Sequence, residues 1–98
     1  MNDNVYDNVK IIADTYGINE QLNILQEELA ELIQAVSKYR RNGDVDGLIE
    51  ELADVHIMWW QIVYLLDKQI DDDICYLINQ QEADKTSRQL FRIKYERK

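Results

Sequence analysis

No proline occurs in the 98 residues, and glycine stands only at 17, 43 and 47. Proline interrupts helices, and glycine supplies the positive-φ positions that tight turns need. A chain this poor in both favours long helices joined by short links over a turn-rich β fold. Residues 3–16 read as a first helix, with Val5, Val9 and Ile12 on one side. Gly17 ends it and Asn19 is placed to cap the next. That second helix is expected over 20–41, where Leu22, Leu25, Leu29, Leu32 and Val36 recur every three or four residues as a core stripe. Asn42 and Gly43 close it. Asp44 or Asp46 caps a third helix reaching to about Lys68. Asp71, Asp72 and Asp73 favour one more helix N-terminus through the macrodipole. The last helix, broken near residues 82–84, runs on towards the end. The expected fold is a single all-α domain over 1–98, an antiparallel helical bundle of about four to five helices.

The third helix is apolar nearly all round. Leu48, Leu52, Val55, Trp59, Ile62 and Leu66 share one face, Ile49, Ala53, Trp60 and Tyr64 a second, and Met58 and Leu65 a third. Such a helix must be enclosed. A chain this short buries only about 60–65% of its unfolded surface, yet 46% of its residues are apolar. The excess implies burial against a second subunit.

The net charge of −8 opposes binding to nucleic acid or an anionic membrane. No apolar run reaches the ~18–20 residues of a membrane span, and MNDNVYDNVK lacks a signal-peptide core. Cys75 stands alone, so no internal disulfide forms, and it reads as a small buried apolar residue. The expected compartment is the cytoplasm.

Two acidic motifs bracket the link at Asn42 and Gly43, EELAE at 27–31 and EELAD at 50–54. On the wheel Glu51 and Asp54 fall on the side of Met58 and Leu65, acids on a helix that otherwise avoids water. Glu28 and Glu31 share a side with Ile24 and Ala35, while Glu27 points away from the apolar stripe. A short link makes the two helices antiparallel neighbours. Counted from Gly43, Glu31 and Glu28 lie 12 and 15 residues back, and Glu51 and Asp54 lie 8 and 11 residues on. These levels roughly coincide, so four carboxylates converge. Their mutual repulsion calls for protons or a cation, and a hard, oxygen-preferring cation such as Mg²⁺ is the natural partner. No D-x-D-x-D-G loop argues for Ca²⁺. One E-E-x-x-E alone is commonly a solvated helix face; the specificity lies in the pair.

Basic residues gather late: Lys85, Arg88, Arg92, Lys94, Arg97 and Lys98. Lys85, Arg88 and Arg92 fall within about 60° of one another, a single stripe. Lys38, Arg40 and Arg41 close the second helix and complement its dipole. His56, the sole histidine, reads as a packed core residue. Trp59, Trp60, Tyr39, Tyr64 and Tyr76 read as core or interface first, and as base-stacking groups second.

The acidic pair, Glu27-Glu28-x-x-Glu31 followed after nineteen residues by Glu51-x-x-Asp54, resembles the signature of the MazG-like all-α nucleoside triphosphate pyrophosphohydrolases. That superfamily also includes dimeric dUTPases and phosphoribosyl-ATP pyrophosphatases. QLNILQEELAELIQAVSKYRR is similar to the family's first long core helix, and the resemblance spans roughly residues 16–95. It implies a helical homodimer or dimer of dimers that cleaves a nucleoside triphosphate to the monophosphate and pyrophosphate. It carries the metal-ligand role onto Glu28, Glu31, Glu51 and Asp54, with Mg²⁺ as cation and Mn²⁺ as second candidate. Glu27 and Glu50 match acids that orient the attacking water. Lys85, Arg88 and Arg92 match the family's phosphate contacts on the last core helix. The chain departs from the pattern in lacking an Asn one turn before the Arg, where Ser87 or Gln81 would stand in. Two alternatives stand beside this reading. One is a related enzyme of narrower substrate, a dUTPase or phosphoribosyl-ATP pyrophosphatase. The other is a non-catalytic helical dimer that binds a partner protein, its acids merely solvated.

Overall fold

The computed structural model describes residues 3–96 and is all-α, with no strand among them. Three helices follow in order: α1 (Asp3–Asn42), α2 (Val45–Ile70) and α3 (Ile74–Tyr95). Arg97 and Lys98 of the basic tail lie outside the described residues.

Three elements stand where four or five helices were expected, and α1 is itself two helices run together across a kink at Gly17. The first two predicted helices are arms of one element, bent where Gly17 leaves helical geometry at φ 80° and ψ 170°. A straight helix of 40 residues would measure about 60 Å, whereas the longest dimension of the molecule is 50 Å. The expected break near residues 82–84 is absent, because Glu82, Ala83 and Asp84 include neither Gly nor Pro and α3 runs through them.

The links are built from local chemistry. Gly43 takes φ 72°, and its N–H donates to the Tyr39 carbonyl at 2.8 Å, closing α1. Asp44 caps α2, its Oδ1 accepting from the Gly47 N–H at 3.1 Å. Of the three aspartates at the next link, Asp71 takes the left-handed conformation that ends α2. Asp73 caps α3 by accepting from the Tyr76 N–H at 3.0 Å. Asp67 reaches back across the link to accept the Ile74 N–H at 2.8 Å.

α1 and α2 form an antiparallel hairpin through a seam unlike the expected stripe. The seam side of α1 carries Gln21, Ile24, Glu28 and Ala35, and that of α2 carries Glu51, Asp54, Met58 and Gln61. These positions step by three, four or seven, the spacing of a coiled-coil seam. Gln21, Ala35, Met58 and Gln61 are buried, and Val9 and Ala13 extend the burial beyond the bend. The predicted leucine stripe lies round the side and is only partly covered: Leu22 is 41%, Leu29 42% and Val36 41% exposed, while Leu25 and Leu32 are half-buried. Small and flexible seam residues let the backbones approach; the bulky stripe does not. The far arm of α1 is clamped to α2 by Asp14, which accepts from Tyr64 Oη at 2.8 Å and Lys68 Nζ at 3.0 Å.

α3 packs on α2, and among the described residues its backbone stays clear of α1, although Cys75 at its start shares a small cavity with Tyr6, Val9 and Lys10 of α1. Ile74, Cys75 and Ile78 are half-buried, and every described residue from Asn79 to Glu96 is exposed. One chain is therefore a hairpin with a projecting arm, and a bundle closes only if something covers the hairpin.

Candidate metal centre

Helical phase alone brings the acids together. Glu28 stands on the seam of α1, and Glu51 and Asp54 stand one turn apart on the seam of α2. One carboxylate oxygen from each lies within 4.8 Å of the other two. All three residues are half-buried. Seam positions normally hold leucine or isoleucine, so these carboxylates occupy sites shaped for apolar groups.

The electrostatics follow from that placement. The Glu28 carboxyl is pushed above its ordinary range, first by burial and then by the charges of Glu31, Asp54 and Glu51. Glu51 is pushed up in the same way, by burial and then by Glu31, Asp54 and Glu50. The charge of Glu31 bears on both glutamates. Carboxylates grouped within 4.8 Å favour a proton or a cation between them. Oε2 of Glu28 and Oε2 of Glu51 are buried without any hydrogen-bond partner. Burying a charged oxygen unpaired is costly, and a hard divalent cation is the ligand that satisfies such an all-oxygen donor set. The residues present fit one.

The remaining predicted site residues separate. Glu31 is exposed and adjoins the trio through Glu51. Glu31 and Glu50 both line a cleft of about 420 Å³ that opens beside Glu51 towards the α1–α2 link. Glu27 is exposed and does not line that cleft. Lys85, Arg88 and Arg92 do gather on one face of α3, around a shallow hollow of about 190 Å³. Arg88 also pairs with Asp84 at 3.1 Å. The backbone of their arm stays clear of α1, so within one chain they stand apart from the carboxylates.

His56 is exposed rather than a core residue, stacked on Trp59 with ring centroids 6.3 Å apart. With Trp59, Trp60 and the half-buried Cys75 it borders a groove of about 830 Å³ between α2 and α3, on the face of α2 opposite the carboxylates. Sequence reasoning missed two features of the centre's surroundings. Lys38 lines the smaller cleft; its signal was a spacing of seven from Glu31, two turns along one face. Gln21 and Gln61 are the buried polar pair of the seam, each seven residues from Glu28 and Asp54 respectively.

Comparison of the chain with protein-family models, with curated proteins and with solved structures found no match.

Proposed function

We propose that the chain is a Mg²⁺-dependent nucleoside triphosphate pyrophosphohydrolase that works as a homo-oligomer, a homodimer at least. The observation that carries this reading is the half-buried carboxylate trio with its two buried, unpartnered oxygens, set in a helical seam. Glu28, Glu51 and Asp54 would hold the cation, with Glu31 beside them. When bound, Mg²⁺ would neutralise the acids and withdraw charge from a phosphoryl oxygen. Glu50, on the cleft wall next to Glu51, is the better placed of the two acids to orient a water and take its proton. Glu27 faces solvent outside that cleft. The water oxygen bonds to the α-phosphorus and the α–β bridging bond breaks. Pyrophosphate leaves with the electron pair. No covalent nucleophile is required. Lys85, Arg88 and Arg92 are the phosphate contacts of this reading, and since they line a separate hollow on the exposed arm of α3, they would reach a centre through assembly.

Assembly is supported by area. The described fold exposes 7708 Å², against about 5,900 Å² for a compact monomer of this mass. Its radius of gyration is 16.6 Å, against about 13 Å for a compact chain of this length. The excess of about 1,800 Å² per chain suits an obligate interface. The leucine stripes of α1 and α2 each lie about 100° round from the seam, and antiparallel packing turns both to one face. That face is the surface a second copy would cover.

Phosphorus NMR tests the reaction. The chain is incubated with Mg²⁺ and a panel of ribo- and deoxynucleoside triphosphates, with dUTP and phosphoribosyl-ATP included, beside Asp54→Asn. Pyrophosphate and monophosphate should appear with the unaltered chain only. Intact substrates across the panel, with no Mg²⁺-dependent rise in melting temperature, would favour a partner-binding dimer instead.

A further inference from the structure

We infer that Lys38 is the cation that receives the terminal phosphates of the substrate, a role that rests on the pyrophosphohydrolase reading above. The cleft beside the carboxylates runs from Glu51 and Glu31 to the α1–α2 link. Lys38 is the one cation among the residues lining it. Among the described residues it makes no ion pair or hydrogen bond, although Glu31, Glu50 and Glu51 line the same cleft. Other lysines of the hairpin are engaged elsewhere. Lys68 binds Asp14, and Lys10 lies over the Tyr6 ring at 4.2 Å. Arg40 and Arg41 are exposed and do not line the cleft.

The geometry suits a linear polyanion. Lys38 is two helical turns beyond Glu31, about 10 Å along the axis. A helical side chain leans towards its helix N-terminus, which brings the ammonium back towards the carboxylates. Across the cleft lies the first turn of α2. There Gly47 leaves the wall bare, and an added Cβ would stand 2.7 Å from Asp44 Oδ2. Asp44 caps α2 at this end and lines the cleft, so a carboxylate already meets the dipole of α2 there. Lys38 is thus the one ammonium in a cleft whose acids are Glu31, Glu50, Glu51 and Asp44. A triphosphate anchored at Glu28, Glu51 and Asp54 extends its β- and γ-phosphates towards Lys38. As the α–β bridging bond breaks, negative charge grows on the leaving pyrophosphate, and Lys38 donates hydrogen bonds to its non-bridging oxygens. The α3 stripe has no such access within the chain.

A structural role competes: Lys38 as plain counter-ion to Glu31, Glu50 and Glu51. Calorimetric titration of the whole protein with pyrophosphate in excess Mg²⁺, with Mg²⁺ alone as a separate titration, distinguishes the two, using Lys38→Gln and Lys38→Arg. Loss of a charge-assisted contact should weaken pyrophosphate binding about 10- to 100-fold in Lys38→Gln. KM for the triphosphate should rise similarly, Mg²⁺ affinity should stay within about twofold, and Lys38→Arg should recover most of the loss. Unchanged pyrophosphate affinity and KM in Lys38→Gln, with the unaltered chain turning over, would overturn the Lys38 assignment alone. So would a lowered metal-free melting temperature with pyrophosphate binding retained, the mark of a counter-ion. Failure of the unaltered chain to bind Mg²⁺ would overturn the pyrophosphohydrolase reading and this assignment together.

Discussion

Gln21 and Gln61 are 1% and 2% exposed, and Oε1 of each is buried without a hydrogen-bond partner. Each lies seven residues from a carboxylate on its own helix, so the two amides stand at one level of the seam, about 10 Å from the carboxylate trio. A buried acceptor left unpaired costs about 1–3 kcal/mol. Methionine matches glutamine closely in length and volume and carries no such demand. Gln61→Met should therefore stabilise the metal-free fold by about 1–2 kcal/mol, and Gln21→Met by a similar amount. The double variant should gain less than the sum, because neighbouring sites couple. In a domain of this size each kcal/mol moves the melting temperature by about 4–8 °C. The assay is thermal and urea denaturation followed by circular dichroism, at one fixed protein concentration so that the proposed assembly would contribute equally to each variant. Gln26→Met, at an exposed position of α1, is the control and should change little. A loss of about 1 kcal/mol or more in Gln61→Met would refute the reasoning. It would mean that the amide oxygens find partners in solution, a bridging water being the simplest.

Other outcomes follow from the same geometry. Glu28 and Glu51 have folded-state pKa values above the ordinary 4.5, chiefly through burial, so the folded chain holds protons that the unfolded chain releases. That contribution is full below 4.5 and is lost as pH rises through the raised values; the metal-free melting temperature should climb on mild acidification, and Glu28→Gln should flatten the climb. Asp14 is lowered by Lys68 and Tyr64, so its contribution is present above 3.8 and lost as pH falls further, and Asp14→Asn should remove that acid limb from the melting curve. Gly17→Ala meets no atom within 4 Å, but φ +80° is strained for any side chain; a loss of about 1–3 kcal/mol is expected in urea denaturation. Leu29→Glu, on the partly covered leucine face, should give a monomer by light scattering with the helix content of a single chain retained; a persistent dimer would place the interface elsewhere.

Local chemistry made much of the fold readable in advance. Gly17, Gly43, Asp44 and Asp73 each act through their own backbone or the next turn, so their roles need no knowledge of the rest of the chain. Glu28, Glu51 and Asp54 were legible because one link length and one helical period fix their phase. The leucine stripe misled for a physical reason. Periodicity locates an apolar face but does not say what covers it, and here α2 packs on the narrower, more polar side holding Gln21, Glu28 and Ala35. Lys38 was passed over because a lysine in a last turn has a ready explanation in the helix dipole. Only the cleft's outline separates the two roles. The break expected near residues 82–84 had no glycine or proline behind it, and α3 runs through.

Between Glu31 and Glu51 only Gly43 and Asp44 lie outside helix. The chain between the ligands is thus a ruler graduated in turns. One residue inserted within either helical arm would rotate everything beyond it by about 100° and advance it by 1.5 Å. Every carboxylate would survive, yet they would no longer face one another. Damage of this kind is invisible to any inventory of residues and plain to a count of spacing. The converse also holds. Seven residues added to each arm, two nearly whole turns, would lengthen the hairpin by about 10 Å and return the acids to phase.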